Sequence, residues 1–166
     1  MGREVRRVPK DWQHPRRPNG RLQPLYDEDI ETASSRWKTG FASWELRDAA
    51  YFEFDDAGQF DEFGEYWQYV GEPPVRHFCR PKWSDADRTH FQMYENVSEG
   101  TPISPVMESP EALARWLTDN GANAGVGTTT TYEQWLDVCR GRTAPTFSVC
   151  EGEIMTGVVG NSRSRV

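Results

Sequence analysis

The stretch that most constrains the fold is residues 89–121, THFQMYENVSEGTPISPVMESPEALARWLTDNG, which writes a strand, a turn, an edge and a helix in succession. Residues 89–97 hold neither glycine nor proline and put Phe91, Met93 and Val97 on one face, the pattern of a half-buried strand. Glu99-Gly100 supplies a turn. Residues 101–107 return beside the strand, but Pro102 and Pro105 lack the amide hydrogen a central strand needs, which confines them to an edge. Ser109-Pro110-Glu111 is then a helix start: a hydroxyl to cap, a proline at the first helical position and an acid in the first turn. Leu113, Trp116 and Leu117 form the apolar stripe and Gly121 stops it. Strand and helix signals so close together predict an α+β fold.

Two further helices are predicted. Over 27–48, Ile30, Ala33, Trp37, Phe41 and Trp44 recur at spacings of three and four, with Asp27 as cap. Gly40 interrupts that helix at a cost of about 1 kcal/mol relative to alanine. Over 132–140, Tyr132, Trp135, Leu136 and Cys139 form the stripe, and Thr131 with Gln134 makes a capping box. Residues 146–150 and 153–159 read as a hairpin across Glu151-Gly152. The prediction is a small antiparallel sheet around 89–107 and 146–159, packed by helices near 27–48, 110–120 and 132–140. At 166 residues one domain is expected, over 26–160, with a loose tail at 161–166. Residues 1–25 carry Pro9, Pro15, Pro18 and Pro24 and an Asn19-Gly20 turn, and are expected as an extended basic arm pinned by Trp12, Leu22 and Leu25.

The net charge of −7 is unevenly spread: residues 1–22 hold seven bases against two acids. The strongest concentration of acid is at 45–72, where nine carboxylates stand with one base, Arg47, among eight aromatic rings. In 51–55, Phe52 and Phe54 alternate with Tyr51, Glu53 and Asp55 like a short strand. Residues 60–69 fit a helical turn with Phe60, Phe63 and Trp67 on one side. Such a window suits a basic partner, because carboxylates steer the encounter and rings supply buried area. It equally suits a core of Phe52, Phe54, Phe60, Phe63 and Trp67 whose acidic neighbours face water, since periods of 2 and 3.6 both produce this pattern.

Other chemistries have little to build on. No run approaches the roughly 18 apolar residues of a membrane helix, and the start MGREVRRVPK has no apolar signal region. Three cysteines (Cys79, Cys139, Cys150) argue against a disulfide framework and for a reducing cytoplasm. His77 and Cys79 are one poor ligand pair where zinc needs two, so neither metal nor cofactor is expected. Ser104 lies between Ile103 and Pro105 rather than in a nucleophile elbow, and no catalytic residue is assigned. His90, Thr101 and Ser104 are kept as a possible second site. The 120–131 connector is too long for a helix-turn-helix, and an acidic body disfavours direct duplex DNA binding.

Three segments taken together carry a resemblance: GREVRRVPKDWQHP at the start, YVGEPP with RTHFQMYENVSEGTPISPVMESPEALARWL in the centre, and TYEQWL before the C-terminal hairpin. They resemble a family of small uncharacterised proteins encoded by tailed bacteriophages and prophages. Residues 100–105, GTPISP, are the most specific part, and RHFCRPKW at 76–83 departs from the pattern. The resemblance implies a setting, a phage or mobile-element product in the cytoplasm of a bacterial host cell. Combined with the acidic window, it leads to a non-enzymatic accessory protein that binds a basic surface on a host nucleic-acid-handling or defence complex, in the manner of an anti-CRISPR protein. The expected contact residues are Glu53, Asp55, Asp56, Asp61, Glu62, Glu65, Tyr66 and Tyr69. The alternatives are a small enzyme acting on nucleotide or nucleic acid at the second site, and a scaffold or morphogenesis protein using the basic arm.

Overall fold

A computed structural model describes residues 2–54, 58–95, 100–125 and 127–141 in full, and the backbone of 143–144, 147–150 and 153–156. Asp55, Asp56 and the tail expected at 161–166 lie outside the described residues. The fold is α+β, and the chain divides into two compact units: Met1–Leu25 with Trp83–Val166, and Tyr26–Lys82. An arm followed by one domain over 26–160 is therefore not the partition observed.

The first unit is built on a four-stranded antiparallel sheet of order β3-β2-β1-β4, where β1 is Arg3–Val8, β2 is His90–Glu95, β3 is Thr101–Pro102 and β4 is Thr143–Ala144. Residues expected in a basic arm thus form an interior strand. Their arginines hide the strand signal, but the two that are buried, Arg3 and Arg6, have neighbours that make burial tolerable. Arg3, 2% exposed, donates through Nε to the Asn123 carbonyl at 2.9 Å and lies directly across β1 from Glu95, which acts on it electrostatically. Arg6 pairs with Glu4 at 3.0 Å and donates to the Leu25 carbonyl at 2.7 Å. Buried charge is tolerated only with such partners.

The register fixes two unlike faces. Val5 lies opposite Met93 and Arg7 opposite Phe91, and this face packs on two helices, α4 (Pro110–Asp119) and α5 (Tyr132–Gly141). Leu113, Ala114, Leu117, Trp135, Val138 and Cys139 complete the core there. Each large side chain so buried contributes about 1.5–3 kcal/mol. The caps are those the sequence predicts. The Ser109 hydroxyl accepts the Ala112 amide at 3.0 Å, and Thr131 and Gln134 exchange backbone-to-side-chain bonds at 3.4 Å. The opposite face carries Arg6, Gln92 and Tyr94, and residues 9–25 lie over it.

The predicted C-terminal hairpin is present as β5 (Phe147–Cys150) and β6 (Glu153–Thr156), with Cys150 opposite Glu153. It forms its own two-stranded sheet instead of joining the strands near 89–107, where β1 lies beside β2 and β4 beside β1.

The second unit holds α1 (Ile30–Glu45), α2 (Gln59–Phe63), α3 (Tyr66–Val70) and a 3₁₀ turn at Arg76–Phe78. Asp29, not Asp27, caps α1: it accepts the Glu31 and Thr32 amides at 3.1 Å each, while Asp27 takes Arg80 Nε at 3.1 Å. The core is aromatic. Trp44, Phe60 and Tyr66 are buried, and Trp37, Ala49, Phe52 and Phe54 pack against them. Residues 51–53 turn instead of forming a strand, and Glu53 takes a positive φ of 56°. The helical turn predicted at 60–69 is two short helices, parted at Gly64, whose φ is 76°.

Candidate protein-binding surface

Charge and exposed apolar surface both concentrate in the second unit. Residues 26–82 hold thirteen carboxylates against six lysines and arginines, a balance of −7 equal to that of the whole chain. The remainder is neutral. Among the described residues, all nine large hydrophobic side chains that are exposed fall in 26–82 as well: Tyr26, Phe41, Leu46, Tyr51, Phe63, Trp67, Tyr69, Val70 and Val75. An isolated exposed leucine means little, but apolar side chains gathered on an acidic unit mark a surface suited to binding.

Local structure decides which rings are presented. Phe52, Phe54 and Phe60 turn into the cluster around Trp44, at centroid distances of 5.3, 6.2 and 4.9 Å. Tyr66, expected on the binding surface, is 5% exposed and lies against α1 at Gly40, whose missing Cβ makes the space. A methyl group there would meet the Tyr66 hydroxyl and come within 2.8 Å of its Cζ. Burial pushes the Tyr66 phenol above its usual pKa. Tyr69 forms the rim: 38% exposed, it stacks on Trp44 at 5.4 Å and meets Phe63 at 4.8 Å. Trp67, assigned by sequence spacing to the same side as Phe60 and Phe63, is 50% exposed. Gly64 resets the helical phase between α2 and α3, and that turn of phase is the signal the spacing argument passes over.

The expected carboxylates Glu53, Asp61, Glu62 and Glu65 are all exposed. Asp61 pairs with Arg47, the one base of the window. With both side chains solvated, that pair contributes about 0–1 kcal/mol and leaves Asp61 available to a stronger partner. Glu65 offers its amide to Gln68 Oε1 at 2.8 Å, which starts α3 and fixes the backbone from which Trp67 projects.

The second candidate site is not assembled. The Ser104 hydroxyl is buried, accepts the Met93 amide at 2.9 Å and donates to the Pro105 carbonyl at 2.9 Å, so both its roles are taken. His90 lies three residues from Met93 along β2, about 10 Å, with Nδ1 at 2.9 Å from Thr89 Oγ1. Thr101 pairs across the sheet with Glu95. Thr101 and Ser104 therefore serve to hold the chain against the end of β2. Cys139 is also closed to chemistry, since burial pushes its thiol up to about 12. Cys79 is buried, free and raised in pKa for the same reason.

Among the described residues no group of three histidine, cysteine or acidic side chains is placed to hold a metal ion, and no helix is long and apolar enough to cross a membrane. A groove at the start of α1 is lined by Asp29, Glu31, Arg76, Arg80 and Lys82. Arg80 there is bound to Asp27 and Lys82 to Glu31. No family model matches the chain, and no similar curated protein or solved structure was found.

Proposed function

We propose that this is a phage-encoded accessory protein of the bacterial cytoplasm that binds a basic surface of a host nucleic-acid-handling or defence complex and blocks it, as an anti-CRISPR protein does. The observation that carries this reading is the coincidence, in residues 26–82, of the whole net charge and all the exposed large apolar side chains among the described residues. Carboxylates at Glu53, Asp61, Glu62 and Glu65 draw in lysines and arginines that would otherwise grip phosphates. Trp67, Tyr69 and Phe63 then supply area that water leaves on contact. The concentration of negative charge also argues against pairing of two copies through this unit, because like charges oppose one another across an interface. The phage setting rests on the resemblance of the GTPISP centre and the arginine–proline start.

The test is recovery of the tagged protein from phage-infected and from CRISPR-bearing cells at low and high salt. A stoichiometric host complex whose yield falls with salt is the expected result. Reversal of Glu53, Asp61, Glu62 and Glu65 to lysine should abolish capture, and Trp67→Ala should weaken it roughly 30-fold, the loss typical of a central aromatic anchor. Recovery of the bare protein under every condition, or undiminished capture by the folded charge-reversal variant, refutes the assignment.

A further inference from the structure

Within the segment that covers the sheet, residues 15–23, PRRPNGRLQ, form a tight hairpin. Gly20 donates its amide to the Arg17 carbonyl at 2.9 Å, closing a four-residue turn in which Pro18 fixes its own φ and Gly20 takes 81°. The Arg17 amide donates to the Arg21 carbonyl at 2.8 Å and the Gln23 amide to the Pro15 carbonyl at 2.9 Å, with Arg16 bridging Leu22 between them. Asn19 Oδ1 accepts the Arg21 amide at 3.1 Å. The base of the hairpin is fixed to the first unit. His14 Nε2 lies 2.6 Å from the Gln23 carbonyl oxygen and Nδ1 3.1 Å from the Tyr94 hydroxyl, and the buried Leu25 donates its amide to the Gly100 carbonyl at 3.1 Å.

We propose that this hairpin binds the phosphate backbone of single-stranded nucleic acid through Arg17 and Arg21. Side chains alternate along paired strands, so Arg16 and Leu22 take one face and Arg17 and Arg21 share the other. Arg16 is spent within the turn, donating Nη1 to the Gly20 carbonyl at 2.8 Å. Arg17 and Arg21 are exposed and stand directly opposite each other, where like charges repel. Other exposed arginines have a carboxylate: Arg36 has Glu28, Arg47 has Asp61 and Arg140 has Glu111. Among the described residues no ion pair includes Lys10, Arg16, Arg17 or Arg21. A phosphate seated between Arg17 and Arg21 removes the repulsion and accepts hydrogen bonds from both guanidinium forks.

The surroundings select the ligand. An acidic protein would offer carboxylates instead, but a protein interface is built on an apolar centre. The exposed run 15–21 contains only proline, arginine, asparagine and glycine, and among its described residues the first unit exposes no large hydrophobic side chain. A nucleic-acid backbone is held by charge and hydrogen bonds alone. The chain's net charge of −7 then favours a single strand, because a duplex, with one charge per about 1.7 Å, is repelled more strongly than a strand carrying half as many. The hairpin lies in the first unit, so this binding does not rest on the acidic surface of the second.

Fluorescence anisotropy of a short labelled oligothymidylate with the full chain, over a salt series, tests the site. Binding should weaken with salt along a log–log slope of about −1.4 or steeper, about 0.7 for each phosphate neutralised. Arg17→Gln combined with Arg21→Gln should weaken binding at low salt by roughly tenfold and flatten that slope by about 1.4. Arg36→Gln combined with Arg140→Gln removes the same charge from exposed positions elsewhere and should leave binding within about twofold. In the unmodified chain, the amide resonances of 15–23 should shift as the oligonucleotide is added. No binding at low salt overturns the proposal. So does an equal loss in the two double variants, which would mean that overall charge decides and the hairpin does not. Tighter binding of the duplex with oligoadenylate, or displacement of the strand by polyglutamate at equal charge concentration, overturns the choice of ligand. Should a double variant misfold, resonance shifts in the unmodified chain that spare 15–23 decide against the site.

Discussion

Replacing Gly100 by alanine tests how the covering segment is fastened to the sheet edge. Gly100 has a φ of 58°, which costs an L-residue about 1–2 kcal/mol. Its added Cβ would lie 3.2 Å from the Leu25 carbonyl carbon and 3.3 Å from the Leu25 nitrogen, and closer still to the carbonyl oxygen. Leu25 has nowhere to retreat. Its side chain is buried, its carbonyl accepts Arg6 Nη1 at 2.7 Å, and its amide donates to the Gly100 carbonyl at 3.1 Å. Moving it forfeits at least one hydrogen bond, about 1 kcal/mol, on top of the overpacking itself at about 1–3 kcal/mol. The summed loss is about 3–6 kcal/mol, a large share of the 5–15 kcal/mol typical of a domain. Gly20→Ala is the control: its φ is 81°, yet nothing lies within 4 Å of the added methyl, so only the conformational cost of about 1–2 kcal/mol applies. Urea unfolding, with amide exchange of β1 and β2 reporting the first unit, should separate the two variants by about 2–4 kcal/mol, the clash and bond terms alone. Agreement of the two within about 0.5 kcal/mol refutes the claim that Leu25 is held rigidly against Gly100.

Ser104→Ala leaves the buried Met93 amide without its acceptor and should cost about 1–3 kcal/mol of stability in the same unfolding assay, where a loss near zero would reopen a chemical role for the hydroxyl. Gly40→Ala should lower the protection of α1 amides despite the gain of about 1 kcal/mol in helix propensity, and the loss should shrink in a Tyr66→Phe background that removes the atom nearest the new methyl. The Asp29 carboxyl is held below its ordinary pKa of 3.8, first by the Thr32 amide, so its stabilising effect is complete above that value and is lost as pH falls through the lower folded one. Asp29→Ala should therefore flatten part of the acid-unfolding profile of the second unit, and an unchanged profile would show the cap to be inert.

The elements that the sequence announces well are those specified by local chemistry. Ser109-Pro110-Glu111 and the Thr131–Gln134 pair need only their own turn to be read, and both helices start where these residues stand. The hairpin at Phe147–Cys150 and Glu153–Thr156 is likewise local. Strand β1 is not. Its six residues include three arginines, and the reasons two of them are buried lie far along the chain: Glu95 and Asn123 for Arg3, Leu25 for Arg6. The same holds for the cap of α1. Asp27 and Asp29 are equivalent in sequence, and Arg80, 53 residues away, binds the first of them and leaves the second at the cap.

The acidic–aromatic window shows the same division at finer grain. Periodicity leaves its rings ambiguous, since two periods fit, and the resolution comes from two glycines. Gly40 opens a place on α1 that only a ring reaching in from α3 fills, which commits Tyr66 to the core and withdraws it from any interface. Gly64 turns the chain between α2 and α3, so that Trp67 no longer shares the inward side with Phe60. With Tyr66 committed inward, the next residue along a five-residue helix points elsewhere, and here it is half exposed. The aromatic core and the presented tryptophan are thus consequences of one packing decision. A variant that frees Tyr66 from Gly40 should disturb the proposed capture through Trp67 even though Gly40 and Tyr66 are both buried.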